Sequence, residues 1–406
     1  MATTATHAHD TIDGFGDPLA FRARQGTARP AVIRNVAGQD VFTVEARQMA
    51  HHQKEAVVSE GATGSAWRVT SDEGKHLAGT DLAPFPLGVF NAGLHGDLHN
   101  RLLATAAASG VAFDDLQVLL DNRYSLTGSF VRGDAVGQAE PTRITVKVKS
   151  PADAATLHAW VARAVAASPA LAALRTPLEN TFAIYVNGRR RAVHALPAST
   201  AADAPDPYRV HAKPPRPLPG PDPLQPLILR TGEQRPGVSQ PAQASPTGRV
   251  LRLIVGNSHL VDRAGVTQTD TYLDLPAASH FALRTDERPG TGEAGDQGPC
   301  GLALLSAGIV FCYMTQLSRY IENMKMDIGG VRVVQYTPFT LEGSLAAGTL
   351  AGHALPVDTH LFLNGGAADE LFERLQKIAA VTCYLHATLA AALPPEVAIE
   401  HNGKPL

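Results

Sequence analysis

Cysteine is scarce: three in 406 residues, Cys300, Cys312 and Cys383, all toward the C-terminal end. A disulfide-stapled secreted fold uses more of them, in an even number and spread along the chain. Their scarcity points to a reducing, cytoplasmic setting. Basic clusters are also lacking: the formal net charge is −3 and the longest basic run is Arg189-Arg190-Arg191. That argues against a nucleic-acid partner, which calls for a clustered positive face. The most apolar stretch, 302–314, falls short of the roughly 20 residues that span a bilayer. It reads as a buried core helix, so no membrane partner is expected. The opening residues, 1–15, lack the basic start and apolar core of a signal peptide.

What is present is 44% hydrophobic and 18% charged residues, the balance of a soluble globular protein. A chain of 406 residues exceeds one ordinary core and predicts two domains. A stretch from about 197 to 247 is rich in Pro, Ala, Gly and Ser. Proline removes backbone donors and fixes φ, so this segment reads as a connector, with 227–230 as a short docked strand. Roughly the first 35 residues also read as loosely structured.

The flanking regions repeat each other. Asp81 matches Asp296, a spacing of 215, and Pro84 matches Pro299 at the same spacing. So do Ala92-Gly93-Leu94 with Ala307-Gly308-Ile309, and Phe182-Ala183-Ile184 with Val397-Ala398-Ile399. Asn187-Gly188-Arg189 likewise matches Asn402-Gly403-Lys404. Chance identities do not hold one register over about 110 residues, so the chain reads as an internal duplication. Upstream, the segments around Asp72 and Asp286 match with a shift of one. The boundaries read as a first domain at 36–192, a Pro-rich linker at 193–247 and a second domain at 248–406.

Each copy has the same expected elements. Strands come first, around 41–46 and 66–70, and around 249–255 and 272–284. A long helix follows, about 87–109 and 302–326. Strands with period-two alternation come next, at 144–148 and 358–363. A second helix carries Leu157, Trp160, Val161 and Ala164 on one face, and its counterpart Phe372, Leu375 and Ala379. Strands grouped before and after helices, without βα alternation, predict an α+β fold.

The copies differ at two telling positions. Cys312, inside the long apolar helix, matches Asp97, and Cys383, where the second helix gives way to a further turn, matches Ser168. Free cysteine usually packs as a small hydrophobe. Two coordinated changes in one copy are not what packing requires, however, and two thiols brought together can act as nucleophile and resolving thiol. A thiol at a helix start also feels the positive dipole end, which favours thiolate.

This order of elements resembles the OsmC/Ohr superfamily. So do the Pro-x-Pro-Leu start at Pro84 to Leu87, the Ala-Gly-Leu/Ile run before the thiol, and Cys383 followed by Thr388-Leu389. The resemblance covers both copies. It implies in each an antiparallel sheet wrapped around a long central helix plus a second helix, and a thiol peroxidase that reduces organic hydroperoxides. Cys312 would be the peroxidatic cysteine and Cys383 the resolving one. Family members form intertwined homodimers, so a tandem chain is expected to build an intramolecular pseudo-dimer, with further homo-oligomers open. The implied partners are a small-molecule substrate and a dithiol reductant; no cofactor or metal is implied.

The sequence departs from that pattern. The peroxidases place a Glu a few residues after the motif proline to orient an Arg against the thiolate, and the matching positions are Gly88 and Ala303. Without a nearby cation a buried Cys312 keeps a raised pKa. Arg284 is the expected cation, with Arg288, Arg47 and Arg68 as further candidates. A cysteine nucleophile can instead attack a carbonyl, which keeps a hydrolase of small ester or C–C substrates open, as well as a non-catalytic binding protein. Cys300, at the start of the long helix, reads as packing. His95 and His99 share a helical face at i,i+4 and would need a third ligand such as His51 or His52 to hold a metal, while Asp97 projects elsewhere. The bland reading is a polar former cleft. Asp72-Glu73 and Asp286-Glu287 read as solvated turns, and Gly329-Gly330 as a turn before a strand. Gly365-Gly366 lacks phosphate-loop context.

Overall fold

The computed structural model describes residues 10–26, 39–130, 132–219, 224, 226–233, 250–261, 265–287 and 297–406. The first half runs α1 (Ile12–Phe15), β1 (Ala20–Arg24), β2 (Asp40–Gln48), β3 (Lys54–Glu60), β4 (Ala66–Ser71), α2 (Pro86–Ser109), β5 (Asp115–Thr127), β6 (Val136–Ala139), β7 (Arg143–Lys149), α3 (Ala154–Ala167), α4 (Pro169–Arg175), β8 (Thr181–Val186) and β9 (Arg189–Arg191). The second runs α5 (Tyr208–His211), β10 (Ile228–Glu233), β11 (Val250–Leu260), β12 (Val266–Leu273), β13 (Ser279–Asp286), α6 (Gly301–Asn323), β14 (Ile328–Glu342), β15 (Ala351–Ala354), β16 (Asp358–Gly365), α7 (Asp369–Thr382), α8 (Tyr384–Ala391), β17 (Glu396–His401) and β18 (Lys404–Pro405). The fold is mixed α+β, with two nine-stranded sheets and eight α-helices among the described residues.

The order of elements recurs. The starts of α2, α3, α4, β6, β7, β8 and β9 each precede those of α6, α7, α8, β15, β16, β17 and β18 by 215 residues. Each sheet draws on both halves. One has the order β1-β4-β3-β2-β14-β16-β8-β9, with β15 on β14; the other has β10-β13-β12-β11-β5-β7-β17-β18, with β6 on β5. Replacing every strand by its counterpart turns the first order into the second. Each sheet joins the halves twice: antiparallel at β2–β14 and β11–β5, with Val333 opposite Ala46 and Ile254 opposite Asn122, and parallel at β16–β8 and β7–β17. Alternating burial along β2 and β5 is what a sheet covered on one face requires.

The long helices lie between the sheets. α2 packs on β11, β12 and β13, α6 packs on β2, β3 and β14, and the two helices pack on each other. Pro86 starts α2, where its missing N–H costs nothing, and Gly110 ends it in the left-handed conformation at φ 69°. Their closest approach uses matching glycines. A Cβ on Gly93 would lie 2.4 Å from the Leu305 nitrogen, and one on Gly308 would lie 2.6 Å from that of Phe90. α6 is long and apolar enough to cross a membrane by length and composition, and its most apolar window is wholly buried in this core.

Three details differ from the sequence reading. The first 35 residues include β1, which pairs with β4 at the sheet edge. The Pro-rich connector contributes the short helix α5 as well as the strand expected at 227–230, which is β10, paired with β13. Asp72, Glu73, Asp286 and Glu287 are buried rather than solvated. Asp72 accepts hydrogen bonds from the Thr80 hydroxyl and the backbone N–H groups of Glu73 and Leu82, so it ties down the loop ahead of α2.

Candidate functional site

Cys312 lies in the middle of α6 and Cys383 at the N-cap of α8, and both are buried. The bend between α7 and α8 brings the start of α8 against α6, and the two thiols share a hydrogen bond. The α8 N-terminus serves both sulfurs: the Leu385 N–H donates to Cys312 and the His386 N–H to Cys383. Unsatisfied N–H groups at a helix start favour negative charge. Burial pushes Cys383 up, but hydrogen bonds from Cys312 and His386 and the His386 charge hold it well below the ordinary thiol range. Burial and the neighbouring Cys383 push Cys312 well up. The pair therefore favours its proton on Cys312 and its charge on Cys383. The His386 ring sits between Phe182 and Tyr313, with centroids at 5.3 and 5.2 Å. Its two ring nitrogens have no hydrogen-bond partner among the described residues.

Cys312 opens onto a cavity of about 230 Å³. Its walls come from both halves: Glu73, His76, Phe85, Leu87, Leu126 and Phe130 from the first, Arg252, Leu273, Thr315, Gln316, Arg319 and Tyr384 from the second. Cys312, Thr315, Gln316 and Arg319 follow helical spacing, so one face of α6 presents thiol, hydroxyl, amide and guanidinium together. Arg319 lies over the Phe130 ring at 4.6 Å and donates to the Gln316 side-chain oxygen at 3.1 Å. Glu73 accepts from the Thr315 hydroxyl and faces the Lys54 ammonium at 3.8 Å. Burial pushes the Glu73 carboxyl up against the pull of Lys54. Burial, with Arg252 and Arg319 nearby, pushes His76 down to about 3, so its ring is neutral near pH 7.

The cation expected at Cys312 is not the one the sequence reading named. Arg284 donates to Gln268 and to the Leu224 carbonyl, both at 3.3 Å, and does not line the cavity. Arg47 bonds Asp10 and Glu55. Arg68 bonds Glu55 and the Pro18 carbonyl. Arg288 lies outside the described residues. Arg319, seven residues after Cys312 on the same face of α6, lines the cavity with it. Glu73 was missed because an Asp-Glu pair at a strand end looks solvated, and only the fold carries it across to α6.

The matching place in the first half keeps the geometry and changes the chemistry. Ser168 caps α4 by accepting from the Leu171 N–H at 3.0 Å and donates to Asp97 at 2.5 Å. Asp97 also accepts from the Ala170 N–H at 3.1 Å and from Arg101 at 3.1 and 3.2 Å. Arg101 continues to Glu287 at 3.6 Å. A buried carboxylate and hydroxyl thus hold the N–H groups that the two thiols hold in the second half.

The remaining candidates lie elsewhere. Cys300 is the buried N-cap residue of α6, its N–H donating to Glu60. His95 and His99 both meet the Ser258 hydroxyl, at 2.7 and 3.0 Å. His52 bonds Ser318 at 2.9 Å, away from that pair. Among the described residues, no group of three or more His, Cys, Asp or Glu side chains could hold a metal.

No protein-family model matches the chain, and no curated protein does. Among solved structures it is similar to an OsmC-like hydroperoxide resistance protein from Jannaschia sp. CCS1, with 21% identity, 34% of this chain and 84% of that one covered, and a TM-score of 0.21.

Proposed function

We propose that the chain is a two-cysteine thiol peroxidase that reduces organic hydroperoxides, with Cys312 as the attacking thiol and Cys383 as the resolving one. The observation that carries this reading is their placement: Cys312 faces the cavity, and Cys383 lies buried behind it in hydrogen-bond contact. A substrate in the cavity meets Cys312 and not Cys383, although the pair favours its charge on Cys383. The proton that the pair shares passes to Cys383 as Cys312 attacks. The Cys312 sulfur bonds to the terminal peroxide oxygen, the O–O bond breaks, and the alkoxide leaves and takes a proton from solvent. Arg319 faces the charge that develops on the leaving oxygen, the arrangement in which fixed donors lower a barrier most. Cys383 then attacks the Cys312 sulfenic acid, its proton departs with the hydroxide as water, and a disulfide remains. A dithiol reductant returns two electrons and two protons. We also propose that the halves 36–192 and 248–406 are copies of one OsmC-like unit forming an intramolecular pseudo-dimer, with the catalytic role kept by the second and a reducing cytoplasm as its setting.

The test mixes purified protein with cumene hydroperoxide and dithiothreitol. Wild type should consume peroxide catalytically and Cys312→Ser should not. Equal rates for the two would sink the peroxidase reading. A reductant-independent acyl adduct on Cys312 with ester substrates would favour a hydrolase instead.

A further inference from the structure

The cavity holds a cation that the thiol chemistry does not use. Arg252, on β11, lines the wall, and its one hydrogen bond among the described residues goes to the Leu251 carbonyl of its own strand, at 2.8 Å. Among the described residues no carboxylate lies within ion-pair distance of it. Glu73 is the nearby acid, and it is already engaged by Thr315 and Lys54. Arg319 lies on the same wall, so the two guanidinium groups repel each other. His76 is neutral near pH 7 and offers no countercharge. A partly buried arginine without a partner is unfavourable unless something else supplies the anion. Phe85, Leu87, Leu126, Phe130 and Leu273 supply an apolar part of the wall, and the Tyr384 phenol and the Gln316 amide supply neutral polar groups. A cavity of about 150 Å³ accepts benzene, so one of about 230 Å³ has room for a single substituted ring and little more.

We infer that the cavity selects small, ring-sized hydroperoxides carrying a carboxylate, and that Arg252 is the residue that binds the carboxylate. This rests on the peroxidase reading for the word hydroperoxide; the anion site itself stands on the cavity and its unpaired cation. Arg319 remains at the reacting oxygen near Cys312. The apolar ring fills the space between the two cations, and the carboxylate takes the place of the missing partner of Arg252. An arginine fork matches a carboxylate with two parallel hydrogen bonds, which a lysine cannot do.

The experiment compares cumene hydroperoxide with its 4-carboxy derivative on the full chain, in wild type, Arg252→Gln and Arg252→Lys. Wild type should favour the carboxylate by about tenfold or more in kcat/KM, a step worth ~1.4 kcal/mol. The ratio should fall toward one in Arg252→Gln, whatever the absolute rates, and lie between in Arg252→Lys. A wild-type ratio of one or less, or a ratio unchanged by Arg252→Gln, overturns the inference while leaving the peroxidase reading intact. If neither hydroperoxide is turned over, the peroxidase reading fails, and binding decides the anion site alone. Calorimetry should show 4-isopropylbenzoate binding wild type at least about tenfold more tightly than 4-isopropylbenzamide does. Equal affinities overturn it.

Discussion

Cys312 and Asp97 take matching places on the two long helices, and each receives a backbone N–H from the helix start beside it. The second half keeps a group that can gain and lose a bond, whereas the first keeps a fixed charge bound to Arg101 and Ser168. Asp97→Ala should therefore destabilise the fold by roughly 3–5 kcal/mol, because it takes one of two carboxylates from the buried Arg101 and leaves the Ser168 hydroxyl and the Ala170 N–H without their acceptor; a urea midpoint near that of wild type would contradict this. Buried histidines set a pH dependence. His52 and His76 are pushed down to about 3 and His99 to about 4, in each case chiefly by burial. The unfolded chain protonates near 6.5. Between those values the unfolded state binds more protons, so stability is full above about 6.5 and is lost as pH falls. Urea midpoints should fall between pH 7 and pH 5, and His99→Asn should flatten that fall by up to about 1.4 kcal/mol per pH unit. A slope unchanged by the substitution would count against a neutral buried His99. At this scale the sequence showed which residues differ at the spacing of 215, since one register aligns them. It did not show which arginine shares the cavity with Cys312, because only packing decides where Arg284 and Arg319 point.

The helices α2 and α6 cross where neither can carry a side chain. In a free helix, Gly→Ala stabilises by about 1 kcal/mol. At Gly308 the sign should reverse, with Gly308→Ala costing roughly 1–3 kcal/mol as the helices are forced apart. Chemical denaturation reads the sign directly, and a stabilised variant would show that the helices can yield. Both glycines were visible in the repeated Ala-Gly-Leu/Ile run, although their role in close approach was not. The amphipathic faces of α3 and α7 and the alternation of β7 and β16 were equally legible, since local periodicity reflects burial of one face. The strand β1 and the buried Asp72-Glu73 were not, because each depends on partners distant in sequence.

Each sheet is completed across the repeat, so neither half carries a closed core. Residues 36–192 alone would expose the β2 edge that β14 covers and the β5 edge that β11 covers. Separately expressed halves should be insoluble or unfolded by circular dichroism and should recover a folded complex when produced together. A folded, monomeric half would contradict this account. The cavity carries the same message in chemical terms, since Glu73 and Phe130 of the first half face Cys312 and Arg319 of the second. The spacing of 215 was legible in the sequence, and the order of elements recurs at it. The exchange of strands between the halves was not legible, since pairing partners leave no local mark in sequence.

The most direct test of the thiol pair follows the sulfurs themselves. Reduced protein is treated with one equivalent of cumene hydroperoxide without reductant, then digested for mass spectrometry under non-reducing conditions. We expect a Cys312–Cys383 disulfide, with Cys300 still free and both thiols restored by dithiothreitol. Cys312 and Cys383 both remaining alkylatable after peroxide, or oxidised without joining, would contradict the account.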